Sequence, residues 1–444
     1  MKNYFYIIAL IAAAFGLNLI APSIVNYLIA LGGTDSIITQ TLWCMVILFG
    51  FGWVASEVSE GTIFPSFTLQ LMLSIVLHNA LSPLSLNVAM IVVICTTMAA
   101  IILKSGGDEV VRKDFAKIAY PTIMIAVVGY LATFFVAFAL FFYTGLLDLK
   151  TAALLSAIIG STDPAALIPT LKKVTFKTEY TRLTDISVAE SALNDAVGAI
   201  FTGAVIMMFS ASNASSISSM GSLASGLFSG ENMLKLGEQF LFGTIVGVIC
   251  WGIMIWYEKL TNKRAETAYD YAIHLFVPIF AYLLATAIHG NGFLAAFVCG
   301  LLANYNFSNS NFHKTLNITE TQIESIAKPT IFMMVGPLIG LNELFQYAGV
   351  GFAVAMLFII IARPIAVFVS LLPTKISLKE KGFLCIIRET GVIPVVLAVL
   401  TMSQFPNLKM LMPVTAWVVI WTLILLPAIT PFWGKICNVL EINK

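Results

Sequence analysis

Two short polar motifs lie within strongly apolar stretches of the sequence, and each contains an aspartate. The first, GSTDP, occupies residues 160–164, and the second, ESALND, occupies residues 190–195. An ionisable side chain inside a membrane segment costs roughly 2.5–3.5 kcal/mol on insertion scales, and such residues usually mark ion or proton pathways. The motifs therefore predict an ion or proton site that contains Asp163 and Asp195. Two structural carboxylates satisfied by hydrogen bonds are the alternative.

The second motif places three oxygen-bearing side chains on one helical face. Ser191, Asn194 and Asp195 follow the i, i+3, i+4 spacing of an α-helix. Carboxylate and hydroxyl oxygens are hard ligands, which suit a small hard cation such as Na⁺. One carboxylate can hold a cation or a proton but not both at once. This mutual exclusion is the minimal physical basis of cation/proton exchange.

Prolines and a glycine predict two interrupted helices. Pro164 lies in the middle of one apolar segment and Pro169 follows one turn later, and proline cannot donate the helical hydrogen bond. An interrupted helix frees backbone carbonyls and exposes half-helix ends, from which many secondary transporters build ion sites. Gly391 and Pro394 indicate a second such helix. A simple proline kink is the alternative at the first site.

Two arginines also lie within apolar segments. Arg363 precedes a proline, and Arg388 precedes Glu389. A buried guanidinium needs a carboxylate partner, and for Arg388 the sequence offers either Glu190 or Glu389. Snorkelling of the side chain to the membrane interface is the alternative for both arginines.

The composition is that of a polytopic, all-α membrane protein. The 444 residues are 59% hydrophobic and only 11% charged, whereas a soluble chain carries about 25% charged residues. The net charge of +1 gives no indication of nucleic-acid binding, and the six cysteines and four histidines show no disulfide or zinc pattern. No Walker-type loop is present, which argues against coupling to ATP. The sequence predicts a transporter, not an enzyme, and no cofactor.

The apolar runs predict about fourteen membrane-spanning helices. Their approximate ranges are 4–30, 37–57, 62–82, 84–104, 117–146, 150–171, 185–210, 235–257, 268–288, 291–305, 327–347, 349–373, 382–404 and 410–434. A cleaved signal peptide is the alternative for the first, but its apolar region would span only about 7–15 residues. With the N-terminus inside, only Lys150, Lys235 and Lys409 among the loop lysines and arginines fall outside, which follows the positive-inside rule. Both termini are therefore expected in the cytoplasm.

The same pattern predicts the organisation of one integral membrane domain. An additional N-terminal helix occupies 1–36 and a first repeat 37–210, followed by an external Ser-rich linker at 211–234. A connecting helix and a second repeat occupy 235–434, and a short cytoplasmic tail occupies 435–444. An ordinary loop is the alternative for the linker.

The two motifs together resemble the NhaP and sodium/proton-exchanger type of cation/proton antiporters, cation:proton antiporter family 1. Thr-Asp-Pro followed by Glu-Ser-x-x-Asn-Asp is the most specific part, and the resemblance covers about 37–434. It implies the NhaA-like antiporter fold, with inverted repeats and two broken helices that cross at the bilayer midplane. It also implies a homodimer with a dimerisation domain and a moving core that carries the ion.

The resemblance implies roles for the site residues. Asp195 is similar to the cation- and proton-binding aspartate of the family. Thr162, Asp163 and Ser191 resemble the residues that complete or shape the site, with Thr162 and Ser191 as further ligands of the cation. Asn194 stands where electrogenic relatives carry a second aspartate. An Asn-Asp pair is associated in the family with electroneutral one-for-one exchange.

The resemblance also covers the charged residues, but the sequence departs from the family pattern at three points. Glu190 and Arg388 resemble an ion pair that stiffens the core, and Arg363 resembles a basic residue on the helix that faces the site. The family often carries a glutamate before Gly-Gly where residues 104–107 here read KSGG. The family's Arg-Gly is Arg-Glu at Arg388 and Glu389. The predicted count also has one more helix before the Thr-Asp-Pro motif than the thirteen-helix members have.

The sequence therefore predicts a secondary antiporter that exchanges Na⁺ or another monovalent cation for H⁺ by alternating access. Its expected setting is the lipid bilayer of a bacterial inner membrane, as a homodimer. A K⁺/H⁺ antiporter, a channel and a Na⁺-coupled solute symporter of similar fold are the alternatives. An intramembrane aspartyl protease also uses two aspartates, but that family carries Gly-x-Gly-Asp where residues 160–163 here read GSTD.

Overall fold

The computed structural model describes residues 2–60, 62, 65–85, 88–110, 115–210, 217–263, 272–307 and 311–441. This part of the chain is helical, with an isolated antiparallel bridge between Phe176 and Leu440. Its α-helices are α1 Lys2–Ala30, α2 Gly33–Ser59, α3 Ser66–Val76, α4 His78–Ser85, α5 Val88–Glu109, α6 Phe115–Ile123, α7 Tyr130–Tyr143, α8 Leu149–Ile158, α9 Pro164–Lys172, α10 Arg182–Ser210, α11 Met220–Leu227, α12 Gly230–Lys263, α13 Ala272–Ala287, α14 Gly292–Phe307, α15 Asn311–Met333, α16 Leu341–Gln346, α17 Ala348–Leu357, α18 Arg363–Ser370, α19 Leu378–Leu384, α20 Val392–Gln404 and α21 Leu411–Ile436. Two π-helical turns, Met124–Gly129 and Phe358–Ala362, and a 3₁₀ turn, Thr178–Tyr180, lie among them.

The described helices are those of an integral membrane protein. Eight continuous helical stretches are long and apolar enough to cross a membrane, or nine if α3 and α4, which meet at 79°, form one bent span. Two of the eight, Lys117–Tyr143 and Ala348–Ser370, each join two of the α-helices through a π-helical turn. Four further apolar helices are only 10–17 residues long: Leu149–Ile158, Leu275–Ala287, Gly292–Ala303 and Val392–Gln404. The predicted fourteen spans thus do not correspond to fourteen long helices, because several predicted spans are divided or short.

The predicted span at 150–171 consists of two half-helices. α8 begins after Asp148, whose carboxylate accepts a hydrogen bond of 3.1 Å from the Thr151 amide, and it ends at Ile158. α9 begins at Pro164. Proline is favourable at the first position of a helix because its missing N–H has no partner there anyway. The predicted interruption is confirmed.

The predicted span at 382–404 is also interrupted. α19 begins earlier than predicted, after the N-cap Ser377, whose hydroxyl accepts from the Glu380 amide while the Glu380 carboxylate accepts from the Ser377 amide. This reciprocal arrangement is a capping box. α19 ends at Leu384, and α20 begins after Gly391.

Two other predicted segments differ from the structure. The span predicted at 327–347 is wrong in position, because α15 ends at Met333. A Cβ at Gly336 would lie 2.0 Å from the Ser74 carbonyl oxygen, so the chain turns there against α3. Within the predicted linker, α11 is a helix begun by a capping box between Ser219 and Ser222. The linker residues 211–216 and the tail residues 442–444 lie outside the described residues.

One of the two π-helical turns, Phe358–Ala362, stands directly before Arg363, which the sequence predicts as a site residue. Pro364 cannot donate to the carbonyl four residues earlier, which weakens the regular α-helical ladder in this turn. π-helical turns occur frequently at functional sites.

α5 packs closely against α14. A Cβ at Gly300 would lie 1.9 Å from the Lys104 carbonyl oxygen, and one at Gly107 would lie 2.4 Å from the Phe297 carbonyl oxygen. Small residues let membrane helices approach backbone to backbone in this way. α5 also contacts α10, α15 and α20, which brings its end beside both aspartate motifs.

Candidate functional site

The two helix breaks lie against each other. The backbone amide of Asp163 donates a hydrogen bond of 3.0 Å to the carbonyl of Glu389. Gly391 permits this approach, because a Cβ there would lie 2.1 Å from the Asp163 Cβ. The structure therefore brings together the two interruptions that the sequence predicts separately.

The Asp163 carboxylate is held at helix N-termini. Asp163 directly precedes α9, and its Oδ2 accepts a hydrogen bond of 3.4 Å from the amide of Val392, the first residue of α20. Its exposure is only 3%. Helix N-termini favour negative charge because their first amides have no intrahelical partners. Asp163 is thus a fixed part of the junction between the breaks.

Asp195 is placed differently. It lies on α10 with an exposure of 4%, and its Oδ1 accepts no hydrogen bond from the described residues. Asp163 and Asp195 together line a narrow cavity of about 10 Å³, which is about the room that one water molecule needs. A buried polar atom without a partner calls for an explanation such as a bound ion or water. Of the two aspartates at this cavity, Asp195 is thus the one with a buried oxygen that has no hydrogen-bond partner among the described residues.

Thr162, Ser191 and Asn194 form one hydrogen-bond network. Asn194 Oδ1 accepts from the Thr162 amide at 2.9 Å and from the Thr162 hydroxyl at 3.1 Å. Asn194 Nδ2 and the Ser191 hydroxyl both donate to Thr162 Oγ1, at 2.8 and 2.9 Å. The network clamps the first break to α10. The two hydroxyls predicted as cation ligands, those of Thr162 and Ser191, bond to each other in this structure.

The principal partner of Glu190 is Arg363. The guanidinium donates hydrogen bonds of 2.7 and 2.9 Å to the two carboxylate oxygens. The ion pair predicted between Glu190 and Arg388 is longer, at 3.9 Å between nitrogen and oxygen. All three side chains are at most 3% exposed. Glu190 therefore lies between two arginines. Its bidentate partner is Arg363, whereas the sequence-based prediction paired it with Arg388.

Each arginine also binds a carbonyl at one helix break. Arg388 donates to the carbonyl of Gly160 in the first break. Arg363 donates to the carbonyl of Ile387 in the second, at 3.3 Å. Carbonyls at the end of a helix have no intrahelical donors, so these two contacts satisfy groups that the breaks set free. Through Glu190, the two arginines connect α10 to both broken helices.

Three further charged features were not predicted. Lys104, the last residue of the predicted span 84–104, is 1% exposed and pairs with Asp108 at 2.8 Å. Lys328 pairs with Glu324 on α15. Glu389 is fully buried, and neither carboxylate oxygen has a hydrogen-bond partner within the described ranges. The opposite charges at i, i+4 are a signal that could have indicated the first two pairs.

Comparisons with known proteins identify relatives of this chain. The sequence model of the family described as "Sodium/hydrogen exchanger, transmembrane" matches residues 45–435. The "K(+)/H(+) antiporter NhaP2" of Shewanella sp. (strain MR-4) is 26% identical over 306 residues, which are 68% of this chain and 50% of the relative. The chain thus spans about half the length of the NhaP2 relatives. The "Na(+)/H(+) antiporter 1" of Methanocaldococcus jannaschii is 25% identical over 78% of this chain and 80% of its own length.

A solved structure has the same fold. The sodium proton antiporter MjNhaP1 from Methanocaldococcus jannaschii at pH 8 superposes with a TM-score of 0.74 and 20% sequence identity. The match covers 90% of this chain and 98% of that one. The predicted all-helical membrane architecture is confirmed at this level.

Proposed function

Because the chain belongs to the sodium/hydrogen exchanger family, we propose that it is a secondary antiporter that exchanges a monovalent cation for a proton. The observation that carries the proposal is the buried Asp195 Oδ1, which lacks a hydrogen-bond partner among the described residues and faces a narrow cavity shared with Asp163. A buried carboxylate is expensive unless a cation or a proton neutralises it. Exchange follows, since the same oxygen cannot hold both.

The neighbouring residues suggest how the cation is held. The hydroxyls of Thr162 and Ser191 bond to each other in this structure, and we propose that they exchange this hydrogen bond for a cation bound at Asp195. Asn194 keeps the extended peptide at Thr162 in place through three hydrogen bonds. In this proposal Asp195 is the exchanging group, while Thr162 and Ser191 complete its coordination.

The arrangement supports electroneutral exchange. Asp163 is bound to the start of α20 and to the second break, and Asn194 is neutral. Of the two aspartates, Asp195 is thus the one that alternates between one proton and one cation in this proposal. In the proposed alternating-access cycle, α10 and the two broken helices move together, because Glu190, Arg363 and Arg388 connect them.

The proposed cation is Na⁺, with K⁺ as the alternative. Relatives named as antiporters of K⁺ match along 50–60% of their own length, whereas the relative named as an antiporter of Na⁺ matches along 80% of its length. A homodimer in a bacterial inner membrane, with both termini in the cytoplasm, is part of the same proposal.

Proteoliposomes with an acidic interior and a pH-sensitive dye test the proposal. Addition of NaCl should raise the internal pH, and the rise should be the same when valinomycin and K⁺ clamp the voltage. A response that depends on the clamp would contradict electroneutrality, and a response to KCl alone would change the substrate. Absence of any response in vesicles that hold their gradient would favour a Na⁺-coupled symporter, which solute uptake would reveal.

A further inference from the structure

A large open cavity lies between α2, α3 and α15. Its volume is about 830 Å³. Its polar lining includes Ser56, Glu57, Ser66, Thr321 and Ser325. At α15 it reaches a pair of opposite charges, Glu324 and Lys328.

The same pair also lines the narrow cavity at the aspartates. Glu324 and Lys328 are common to the walls of both cavities, and the narrow one continues to Asp163 and Asp195. The narrow cavity holds only about 10 Å³, too little for more than about one water molecule. The pair therefore stands between a cavity wide enough for hydrated ions and the site where an ion would be bound without water.

The pair is buried and directly bonded. Lys328 Nζ donates to Glu324 Oε2 one helical turn away, and the two side chains are 8% and 12% exposed. Separating a buried pair is costly unless another charge takes the place of the missing partner. A monovalent cation that arrives from the large cavity carries the same charge as the ammonium that it would displace. Glu57 is a further carboxylate in the lining of the large cavity.

We propose that Glu324 is the first protein ligand of the arriving cation and that Lys328 is the tethered competitor that closes the passage when no cation is present. This inference rests on the antiport proposed above. It assigns to α15 a role separate from that of the aspartate motifs: control of access, through competition between an ammonium and the transported cation for one carboxylate.

The chain supplies a matched control. Glu231 and Lys235 form the same i, i+4 pair on α12 at 2.7 Å, but their side chains are 78% and 49% exposed. Both residues are absent from the lining of either cavity. If substitution of Glu324 or Lys328 affects transport because of the position of this pair beside the cavities, substitution of Glu231 or Lys235 should have no such effect.

Transport kinetics give the first test. In proteoliposomes, Glu324→Gln should raise the apparent KM for Na⁺ by about tenfold, equivalent to about 1.4 kcal/mol of lost cation binding, with little change in the maximal rate. Lys328→Gln removes the competitor and should lower the apparent KM. Glu231→Gln should leave it unchanged. An unchanged KM in Glu324→Gln, or an equal change in Glu231→Gln, would overturn the proposal.

Thiol labelling tests the passage without any transport assay. In a variant whose six native cysteines are replaced, Ser325→Cys reports on the large cavity and Ile102→Cys on the narrow one. A membrane-impermeant methanethiosulfonate should label Ser325→Cys rapidly and Ile102→Cys slowly. The double substitution E324A/K328A, which leaves neither charge unpaired, should accelerate labelling of Ile102→Cys by about tenfold or more, and Na⁺ should not be required.

The two tests separate the two proposals. If the parent protein shows no antiport but E324A/K328A opens the narrow cavity to the reagent, the passage is established and the proposed function fails. If antiport is present but labelling of Ile102→Cys does not change, the closing role of the pair is refuted and the proposed function stands.

Discussion

The amide of Asp163 donates to the carbonyl of Glu389 across 3.0 Å, and this bond joins the breaks of two helices that lie more than two hundred residues apart. Each break satisfies groups that the other leaves free, since Asp163 also accepts from Val392 at the start of α20. Arg388 and Arg363 bind one carbonyl from each break. Backbone hydrogen bonds between the breaks and the charged residues Glu190, Arg363 and Arg388, here called the charged frame, thus hold the junction together. Asp195, beside the junction, keeps an oxygen without a protein partner within the described residues.

Replacing Asp195 with asparagine should abolish exchange and leave the fold intact. The amide has nearly the same shape but neither binds a proton reversibly nor supplies a charge to a cation. A neutral side chain is also easier to bury, so the melting temperature in detergent should stay the same or rise. The dye assay measures exchange, and Asp35→Asn, on the exposed start of α2, is the control. Sodium-driven proton movement retained in Asp195→Asn would refute the assignment.

Glu190→Gln should destabilise the protein strongly, whereas Glu389→Gln should not. Glu190 forms two hydrogen bonds to Arg363, and breaking a buried pair by neutralising one partner costs roughly 3–5 kcal/mol. Glu389 is equally buried, but its carboxylate has no hydrogen-bond partner within the described ranges. Thermal unfolding of both variants in the same detergent makes the comparison. Equal melting temperatures for the two variants would contradict the stabilising role of the Glu190–Arg363 ion pair.

Gly391→Ala should disrupt the junction. Its Cβ would lie 2.1 Å from the Asp163 Cβ and 2.3 Å from Oδ2, so the two breaks would have to separate. Overpacking of this kind costs typically about 1–3 kcal/mol, and exchange should be lost. Among the described residues, no atom lies within 4 Å of a Cβ added at Gly349 in α17, and Gly349→Ala should instead stabilise by about 0.5–1 kcal/mol. Normal exchange by Gly391→Ala would show that the breaks need not touch.

Local rules explain which parts of the site could be predicted from the sequence. The breaks follow from backbone chemistry that acts within a few residues, because Pro164 lacks an N–H and Gly391 lacks a side chain. The shared face of Ser191, Asn194 and Asp195 follows from helical periodicity. These features do not depend on where the other helices lie.

The partners of the arginines could not be predicted in the same way. Arg363 and Arg388 are both long, buried and within reach of one carboxylate, and the choice between them depends on the rotation and tilt of α18 against α10. A charge at the end of an apolar run usually marks the membrane surface, and the predicted span 84–104 therefore ends at Lys104. In the structure its burial comes from the close contact of α5 with α14, which no local pattern reveals.

Glu380 should give the protein an acid-sensitive contribution to stability. It lies in the first turn of α19, before the predicted span at 382–404, and Arg182 donates hydrogen bonds of 2.7 and 2.9 Å to its carboxylate. Burial alone would raise the pKa of this carboxyl, but the hydrogen bonds from Arg182 and Ser377 outweigh burial and hold the pKa below its ordinary value. A lowered pKa in the folded state means that the unfolded chain binds the proton more readily. The stabilisation is therefore complete above the ordinary carboxyl pKa and is lost as the pH falls through the folded-state value.

Glu380→Gln isolates this contribution. The melting temperature of the variant should lie below that of the parent at neutral pH, and the difference should shrink as the pH is lowered below about 4.3, the ordinary pKa of glutamate. Glu231→Gln serves as the control, because its exposed pair with Lys235 should contribute little at any pH. A difference for Glu380→Gln that is independent of pH would mean that the variant loses packing or helix capping and not the ion pair with Arg182.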